Sequence, residues 1–368
     1  MGTANIFDVP NVRFLGRYDP ESAKREGALP LFWACSGIEL LFTGSALSVL
    51  LDADYGAKEP WIAVEINGSP IIRTPVPRGE SVLLLFQGMT ARTAKHVRLF
   101  KETQPMAQDG DPHHRLWIKG LRWSGGEFQP LPDPRYRLEC IGDSLTSGEG
   151  LAGAKSEVDW TPMLFSAGQA WPKLAADLLH AEFRVISQSG WGVRSGWDNN
   201  PNHALPGWYA PVCATAAGEK DLALGSQRPN DFAAWTPDAI VINLGSNDVN
   251  AMTISAWHGP DGARFKQEDT PPCRKRIEDA ALDFLYQLRR LNPQAVLIWS
   301  YGMANTSLRP ELENAVERFR DETGDRRAYY LPLPAATPET TGSRLHPGPA
   351  CHRLAAEAIA GFLKEILY

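Results

Sequence analysis

The chain has 368 residues, of which 43% are hydrophobic and 22% are charged, as in a soluble globular protein with one large or two ordinary domains. Its formal net charge of -6 argues against partners that bind through phosphates or anionic lipids, because such partners select a basic surface. We therefore expect no nucleic-acid partner, no membrane partner and a neutral substrate.

The N-terminal stretch MGTANIFDVP has neither the cationic region nor the apolar region of a signal peptide. The sequence as written predicts a cytoplasmic protein, or a secreted one if a leader has been removed. The cysteines are scattered without ligand-like spacing, so we expect no metal, and nothing in the sequence calls for a cofactor. Cys213 and Cys273 both lie in Pro-rich segments, and their pairing is left open.

The N-terminal part of the chain has the pattern of an all-β domain. Between about Arg13 and Trp123, short apolar runs such as LSVLLDA, WIAVEIN and SVLLLFQ alternate with polar residues, and INGSP supplies an Asn-Gly hairpin turn. Seven or eight such strands predict a sandwich of jelly-roll or immunoglobulin-like architecture over residues 1–132. Its tryptophans fall within the strand patterns, so we expect them to pack in the core of a rigid accessory domain rather than an independent lectin.

The pattern changes after FQPLPDPRY, where short apolar strands alternate with helical segments such as KRIEDAALDFLYQLRRL. This alternation is typical of βαβ units that form a parallel sheet covered by helices on both faces. We place the boundary near Pro132 and the second domain at residues 133–368. In open α/β sheets the functional site lies at the carboxyl ends of the strands.

Three predicted strands end in short polar segments. CIGDSLTSGEG places Ser144 at a strand-to-helix turn, where a serine hydroxyl can be exposed. SQSGWG places Gly190 where a backbone N–H can approach a bound oxygen, and NLGSND places Asn247, whose amide can donate to an oxyanion. Taken singly, each segment has an ordinary alternative, namely an N-cap serine, a turn glycine and an Asx turn.

A fourth polar segment, SRLHPG, precedes the last predicted helix. Pro347 biases His346 towards an extended conformation and keeps it outside that helix, which leaves the imidazole on a loop. The other histidines that we considered lie in helical patterns or in a polar turn of the β half.

The four segments GDSLTSGEG, SQSGWG, LGSND and LHPG resemble, in order, the sequence blocks of the SGNH superfamily, also called GDSL hydrolases. The resemblance covers about Arg135 to Tyr368 and implies a flavodoxin-like, three-layer α/β domain. It implies that Ser144 is the nucleophile and His346 the general base. It also implies an oxyanion hole made of the N–H of Ser144, the N–H of Gly190 and the side-chain amide of Asn247.

An all-β domain in front of such a domain resembles carbohydrate esterase family 2, the acetylxylan esterase-like branch with an N-terminal jelly-roll. Weaker matches occur in GRYDPES and in WTPDAIVINLGSND. The resemblance implies removal of O-acetyl groups from an acetylated oligo- or polysaccharide, such as xylan or mannan, through an acetyl-Ser144 intermediate. The sequence predicts no particular oligomeric state.

The sequence departs from most of the superfamily three residues before the histidine, where Ser343 replaces an aspartate. This departure puts a Ser-His-Asp triad in doubt. Some esterases of family 2, which this sequence resembles, work with a Ser-His dyad. In such a dyad a backbone carbonyl accepts the Nδ1 proton of the imidazole, and the resemblance implies the same arrangement for His346. Ser343 or Glu339 are the less favoured orienting groups.

Aromatic residues near the predicted site suggest contacts with a sugar ring. Trp191, Trp197 and Trp257 fall in or just after the site-forming loops, and Tyr301 ends a predicted strand. We expect these four, together with Asp143 beside the nucleophile, to contact the substrate. Four other tryptophans are expected in the core: Trp160, Trp171, Trp235 and Trp299.

Two other functions remain open at this stage. A lysophospholipase, thioesterase or aryl esterase with the same machinery would need an apolar acyl tunnel, whereas loops such as GWDNNPNHALPGWY are rich in Trp, Asn and Gly. A non-catalytic carbohydrate-binding protein on the same fold would not need Ser144, Asn247 and His346, which are all present.

Overall fold

The computed structural model describes residues 1–367. In chain order its strands are β1 (Gly2–Asn5), β2 (Arg13–Leu15), β3 (Leu29–Pro30), β4 (Gly37–Phe42), β5 (Ala46–Asp54), β6 (Trp61–Ile66), β7 (Ser69–Pro75), β8 (Gly79–Gln87), β9 (Lys95–Lys101), β10 (Arg115–Ser124), β11 (Phe128–Gln129), β12 (Tyr136–Gly142), β13 (Ala181–Ser187), β14 (Ala239–Asn243), β15 (Trp257–His258), β16 (Arg264–Phe265), β17 (Val296–Tyr301) and β18 (Ala328–Pro332).

Its α-helices are α1 (Pro20–Glu26), α2 (Ser144–Ser147), α3 (Trp171–Leu179), α4 (Glu219–Ala223), α5 (Ser246–Thr253), α6 (Pro271–Leu291), α7 (Arg309–Thr323) and α8 (Pro349–Ile366). Short 3₁₀ helices lie at Ile6–Asp8, Ala107–Asp109, Pro162–Leu164, Ala167–Gln169, Pro201–His203, Leu205–Trp208 and Ser343–Leu345.

The chain divides into two compact units, and neither is continuous in sequence. The first, which we call the sandwich unit, contains residues 1–133 together with 161–168 and 209–230. The second, the α/β unit, contains residues 134–160, 169–208 and the chain from Asp231 on. The predicted boundary near Pro132 lies close to the end of the first segment of the sandwich unit. It does not account for the two later segments, 161–168 and 209–230, that fold within the same unit.

The sandwich unit is built from two antiparallel sheets. One has the strand order β1-β10-β5-β8, with β3 also paired to β10, and the other has the order β11-β4-β9-β6-β7, with β2 paired to β4. Side chains alternate between buried and partly exposed along β5, and its inward residues share one core with residues of the other sheet such as Ile38 and Val97. The antiparallel β-sheets predicted from the alternating pattern are thus confirmed.

The α/β unit is built on a parallel five-stranded sheet in the order β13-β12-β14-β17-β18. Every residue of β14 and β17 is buried, as expected where both faces of a sheet are covered. Helix α3 packs against α8, and α6 packs against α7. The parallel sheet and its helices confirm the predicted α/β class.

The strand order positions the candidate site. Strand β12 lies in the interior of the sheet, and the chain continues first to β13 on one side of it and then to β14 on the other. This reversal is a topological switch point, where the loops after neighbouring strands separate and leave a crevice. Ser144, Gly190 and Asn247 follow β12, β13 and β14, so three adjacent strand ends carry the three residues.

The five cysteines are buried free thiols, so Cys213 and Cys273 do not pair. Within residues 1–367, none of the helices combines the length and apolar composition that crossing a membrane requires.

Candidate active site

The candidate nucleophile stands at the first residue of α2, directly after β12. Asp143 caps this helix, because its Oδ1 accepts a hydrogen bond from the N–H of Leu145 at 3.0 Å. The turn needs glycine at position 142, since a Cβ there would lie 2.0 Å from Thr146 Oγ1 and 2.6 Å from the carbonyl oxygen of Asn243. The sequence Gly-Asp-Ser therefore turns the chain tightly and leaves Ser144 at the strand end.

His346 lies beside this serine, with 3.1 Å between its Nε2 and Ser144 Oγ. On the other side of the ring, Nδ1 lies 2.9 Å from the carbonyl oxygen of Arg344. A carbonyl can only accept, so Nδ1 carries the proton of the neutral imidazole and Nε2 is left with a lone pair facing the serine hydroxyl. This is the tautomer that a general base for Ser144 requires.

The carbonyl reaches the imidazole because the backbone turns sharply just before it. Arg344 and Leu345 have φ angles of 54° and 58°, in the left-handed region that residues with a side chain rarely adopt. Position 150 must be glycine for the same loop to fit, since a Cβ there would lie 2.6 Å from both His346 Cβ and the Ser343 carbonyl oxygen.

Ser343, which stands where most of the superfamily has aspartate, does not contact the imidazole. Its hydroxyl donates to the carbonyl oxygen of Ala152 at 2.9 Å, and its N–H donates to that of Gly150 at 3.0 Å. The side chain is fully buried in these loop contacts. Ser343 therefore ties two loops together and leaves the ring to the backbone carbonyl.

The two other expected oxyanion-hole residues lie at the next strand ends. Gly190 has φ 79°, and a Cβ on it would lie 2.9 Å from Trp197 Cδ1. Asn247 donates from Nδ2 to the Trp191 carbonyl oxygen at 2.9 Å and, less closely, to Asp143 Oδ2 at 3.3 Å. Its amide is therefore fixed in orientation by neighbours from the first two loops.

Asp248 supports the loop that contains Gly190. It is fully buried, and its two oxygens accept from the N–H groups of Val193 and Arg194 at 2.8 and 2.9 Å. Gln267 Nε2 donates to the same carboxylate at 3.1 Å. Burial raises the pKa of Asp248, while these hydrogen bonds act in the opposite direction.

Asp143 does not have the position expected of a substrate contact. It is buried under the serine turn, where it holds Leu145 and approaches Asn247. Burial raises its pKa to about 7, and the nearby charges of Asp248 and Glu149 act in the same direction. Its role in the fold is to cap α2 and to orient the amide of Asn247.

The aromatic residues divide into buried and accessible ones. Trp191 is only 2% exposed, because its indole stacks on His203 with 5.0 Å between ring centroids and meets Trp208 edge-on. Tyr301 is also 2% exposed, and its hydroxyl bonds to Asn305. The expectation of an open sugar platform was therefore wrong for both, since tertiary packing covers their rings.

Trp197 and Trp257 keep accessible surface. Trp197 is 51% exposed, and its backbone N–H donates to the Gly190 carbonyl oxygen at 2.9 Å, which places it next to the oxyanion-hole glycine. Trp257 is half-buried in the short strand β15, where its ring packs close to Gly259. Trp197 thus combines an exposed ring with a backbone contact to Gly190, whereas Trp191 contacts Asn247 through its carbonyl and has a buried ring.

The sequence analysis missed Glu149, the second-last residue of the segment GDSLTSGEG. Its buried carboxylate accepts from Arg344 Nε at 2.6 Å and from the Ser189 hydroxyl, and it lies 3.8 Å from His346 Nε2. A lone acidic residue between two glycines, five positions after the serine, was the available signal. Its partners are distant in sequence and could not be read from it.

Among residues 1–367, no group of three or more His, Cys, Asp or Glu side chains has an arrangement that could hold a metal ion. The polar groups at these strand ends are a serine, a histidine, amide donors and buried carboxylates.

Comparison with known proteins assigns this architecture. Residues 140–354 match the GDSL-like Lipase/Acylhydrolase family. The chain belongs to that family. An acetyl xylan esterase (Est2A) from the rumen bacterium Butyrivibrio proteoclasticus has 38% sequence identity and a TM-score of 0.95, and the match covers 100% of this chain and 99% of that one.

This GDSL-family chain is also similar to two further proteins, one by structure and one by sequence. A family two carbohydrate esterase from Clostridium thermocellum, solved with cellohexaose, has 24% identity and a TM-score of 0.79 over 97% of this chain and 99% of that one. The Cellulase/esterase CelE of Acetivibrio thermocellus is 25% identical over 98% of this chain, which spans about 40% of that protein's length. The expected resemblance to family 2 carbohydrate esterases is confirmed.

Proposed function

We propose that the protein is a serine esterase that removes O-acetyl groups from acetylated carbohydrates such as xylan, mannan or their oligosaccharides. The observation that carries the proposal is the imidazole of His346, 3.1 Å from Ser144 Oγ and held in the basic tautomer by the Arg344 carbonyl. The acetyl specificity is supported by the 38% identity to an acetyl xylan esterase over the full length of this chain.

The first half of the proposed reaction forms an acetyl-enzyme. His346 Nε2 takes the proton of Ser144 while Oγ attacks the acetyl carbonyl carbon, whose oxygen becomes an oxyanion. The tetrahedral intermediate then collapses, the bond to the sugar oxygen breaks, and Nε2 returns the proton to that oxygen. The sugar leaves with a free hydroxyl, and Ser144 carries the acetyl group as an ester.

In the second half, water takes the place of the sugar hydroxyl. His346 removes a proton from the water as it attacks the acetyl carbonyl carbon, and then returns the proton to Ser144 Oγ as that bond breaks. Acetate leaves, and the serine and histidine regain their starting states. Throughout, the Arg344 carbonyl holds the Nδ1 proton, so the ring cannot turn its wrong nitrogen towards the serine.

The oxyanion of both intermediates would be bound by the N–H groups of Ser144 and Gly190 and by the amide of Asn247. The 2.9 Å bond from Asn247 to the Trp191 carbonyl is the stronger of its two contacts, so we assign the proton now shared with Asp143 at 3.3 Å to the oxyanion. This proton would leave its contact with Asp143 as the oxyanion forms, while the bond to the Trp191 carbonyl keeps the amide in place.

The sugar is proposed to lie against Trp197. Its indole is about half exposed and its backbone bonds to Gly190, so a pyranose stacked on it would place an acetylated hydroxyl near the oxyanion hole. Trp257, which is half-buried, remains a second candidate contact.

The test is acetate release from a panel of acetylated xylo- and manno-oligosaccharides, with the position of loss read by NMR. Ser144→Ala and His346→Ala should each nearly abolish release. The matched control is Ser147→Ala on the same helical turn, where the hydroxyl bonds to Ser187 at 2.8 Å and does not face His346; it should retain activity. Wild-type activity in Ser144→Ala would overturn the proposal.

Acyl-chain preference separates the proposal from a lipase-like one. Acetyl nitrophenyl ester should be cleaved faster than the octanoyl ester, and the reverse order would favour a lysophospholipase or thioesterase. Sugar binding by a chain without esterase activity would instead indicate a carbohydrate-binding protein on the same fold.

A further inference from the structure

We propose that Glu149 is a positioning residue for the base of this esterase, acting through Arg344 and through its own charge beside His346. The inference rests on the proposed function, because it gives Glu149 a part in the proton transfer between Ser144 and His346. Glu149 does not take the place of an aspartate at position 343, because its carboxylate lies near Nε2 of the imidazole, while the Arg344 carbonyl lies at Nδ1.

The first step of the argument concerns the conformation of Arg344. Its φ and ψ of 54° and 27° are unfavourable for a residue with a side chain and persist only where the surroundings hold them. Three contacts do so: Nε donates to Glu149 Oε1 at 2.6 Å, Nη1 to the Val158 carbonyl at 2.6 Å, and the backbone N–H to the Glu157 carbonyl at 2.7 Å. Glu149 provides the one charged partner.

The same residue that is held in this way presents its carbonyl to His346 Nδ1 at 2.9 Å. A change in the Arg344 backbone would turn the carbonyl and release the imidazole. The Glu149 carboxylate in this ion pair is buried, so water replaces it poorly when its charge is removed. Loss of that charge should therefore shift the Arg344 backbone and change the orientation of the His346 imidazole.

The second oxygen of Glu149 extends this support to the oxyanion hole. It accepts the hydroxyl proton of Ser189, the residue before Gly190. One carboxylate therefore links the loop after β12, the loop after β13 and the loop that contains His346. These are the loops that carry the nucleophile, a backbone donor and the base.

The third step is electrostatic. Glu149 Oε1 lies 3.8 Å from His346 Nε2, the nitrogen that becomes protonated when Ser144 attacks. A carboxylate at this distance in a buried site stabilises the imidazolium that forms. Arg344, which pairs with Glu149, and His352 are further titratable groups near the ring. Burial lowers the pKa of His352 to about 3, so that its imidazole is neutral.

The experiment compares Glu149→Gln, which keeps the size of the side chain and removes its charge, with Glu149→Asp, which keeps the charge. Glu149→Gln should lower kcat by about tenfold or more with KM changed less than about twofold, and Glu149→Asp should recover part of the loss. Glu157→Gln is the matched control, because Glu157 is exposed and contacts Arg344 only through its backbone. Its kcat should equal that of the wild type.

A pH profile distinguishes positioning from loss of folded enzyme. In Glu149→Gln the acidic limb of kcat/KM should move to lower pH, because protonated His346 loses a stabilising charge. The same shift in an Asp143→Asn background assigns it to His346 rather than to Asp143. Active-site titration with nitrophenyl acetate gives the folded fraction independently, so that rates are compared per active site.

Two results would overturn the inference while leaving the esterase proposal intact: a kcat per active site in Glu149→Gln equal to the wild type, or a lowered kcat with no shift of the acidic limb. The esterase proposal fails separately, if Ser144→Ala retains acetate release.

Discussion

The sandwich unit and the α/β unit both bury carboxylates, but they surround them differently. In the sandwich unit, the Asp111 carboxylate accepts from the backbone N–H groups of Gly56, Ala57 and Lys58 at 2.7 to 2.9 Å. In the α/β unit, Asp143 and Glu149 lie on either side of the serine turn and contact groups that we propose to be reactive. A buried carboxylate bonded to backbone fixes a loop, whereas one placed beside a nucleophile and a base can also tune a reaction.

The two kinds of sheet, antiparallel in one unit and parallel in the other, explain why the buried carboxylates have different surroundings. In an antiparallel sheet one face can remain in contact with solvent, so charged residues are spread along the strands, as with Glu39 among Arg13, His96 and Arg98 on β2, β4 and β9. Burial acts to raise the pKa of Glu39, but the hydrogen bond with His96 and the charges of Arg98 and Arg13 outweigh it and lower this pKa to about 2. The parallel strands β14 and β17 are buried throughout, so polar residues gather where the strands end. The comparison predicts that substitutions of buried polar residues lower activity in the α/β unit and lower stability in the sandwich unit.

Of the substitutions that compare the two units, Asn247→Ala has the largest expected effect. Asn247→Ala removes a proposed oxyanion donor and should lower kcat by about 10² to 10³, with a smaller change in KM, because the bond strengthens only as the oxyanion forms. Steady-state kinetics on an acetylated oligosaccharide give both constants. A rise in KM at unchanged kcat would instead make Asn247 a substrate-binding residue.

Asp111→Ala should have the opposite signature. It leaves three backbone N–H groups without their buried acceptor, so the free energy of unfolding should fall by about 1 to 3 kcal/mol while kcat/KM per folded molecule stays unchanged. Urea denaturation measures the loss, and Asp133→Ala, an exposed carboxylate in the same unit, is the control. Equal stability of the two variants would show that the Asp111 contacts are dispensable.

A pH-dependent effect is expected at Asp143. Its folded pKa of about 7 lies above the ordinary value of 3.8, so the folded chain retains a proton that the unfolded chain loses between these values. The stability that this group contributes is complete below about pH 4 and is lost as the pH rises towards 7. Asp143→Asn keeps a residue that caps helices well. Its Tm should therefore fall less than that of the wild type between about pH 5 and pH 8.

The buried Asp221 of the sandwich unit, whose pKa burial raises to about 6, titrates in both proteins and cancels in this comparison. An identical fall of Tm in the two proteins would mean that Asp143 is already ionised at the lower pH.

The smallest effect is expected at Ser343. Ser343→Ala removes a hydrogen bond to the Ala152 carbonyl and leaves the Arg344 carbonyl in place, so activity should fall by less than tenfold. The control is His346→Ala in the same assay. A loss in Ser343→Ala as large as that in His346→Ala would mean that the hydroxyl, rather than the carbonyl, determines the orientation of the imidazole.

The sequence predicted features that depend on local pattern. Alternating apolar residues indicated the antiparallel sheets, and short apolar runs between helices indicated the parallel one. Ser144, Gly190, Asn247 and His346 were predicted as site residues because the four short polar segments that contain them together resemble the blocks of one family. The strand order then places the first three at neighbouring strand ends, as the family resemblance implied.

Features that depend on packing between distant segments were not predictable. The sequence around Trp191 and Trp197 is similar, yet His203 and Trp208 cover the first ring and leave the second accessible. Glu149 pairs with a residue 195 positions away. Residues 161–168 and 209–230 lack a strand pattern of their own, so nothing local indicated that they fold within the sandwich unit.

The Arg344 carbonyl that accepts from His346 Nδ1 limits which mutations can disturb the orientation of the imidazole. All twenty amino acids carry a main-chain oxygen, so no single substitution at position 344 can delete the group that fixes the tautomer, as a mutation of an orienting aspartate would. Sequence changes can only displace it, by altering the twist of the chain at this position. The arrangement therefore protects the tautomer of the proposed base against substitution at position 344, and it makes the alignment of the imidazole sensitive to residues such as Glu149 that hold the Arg344 backbone.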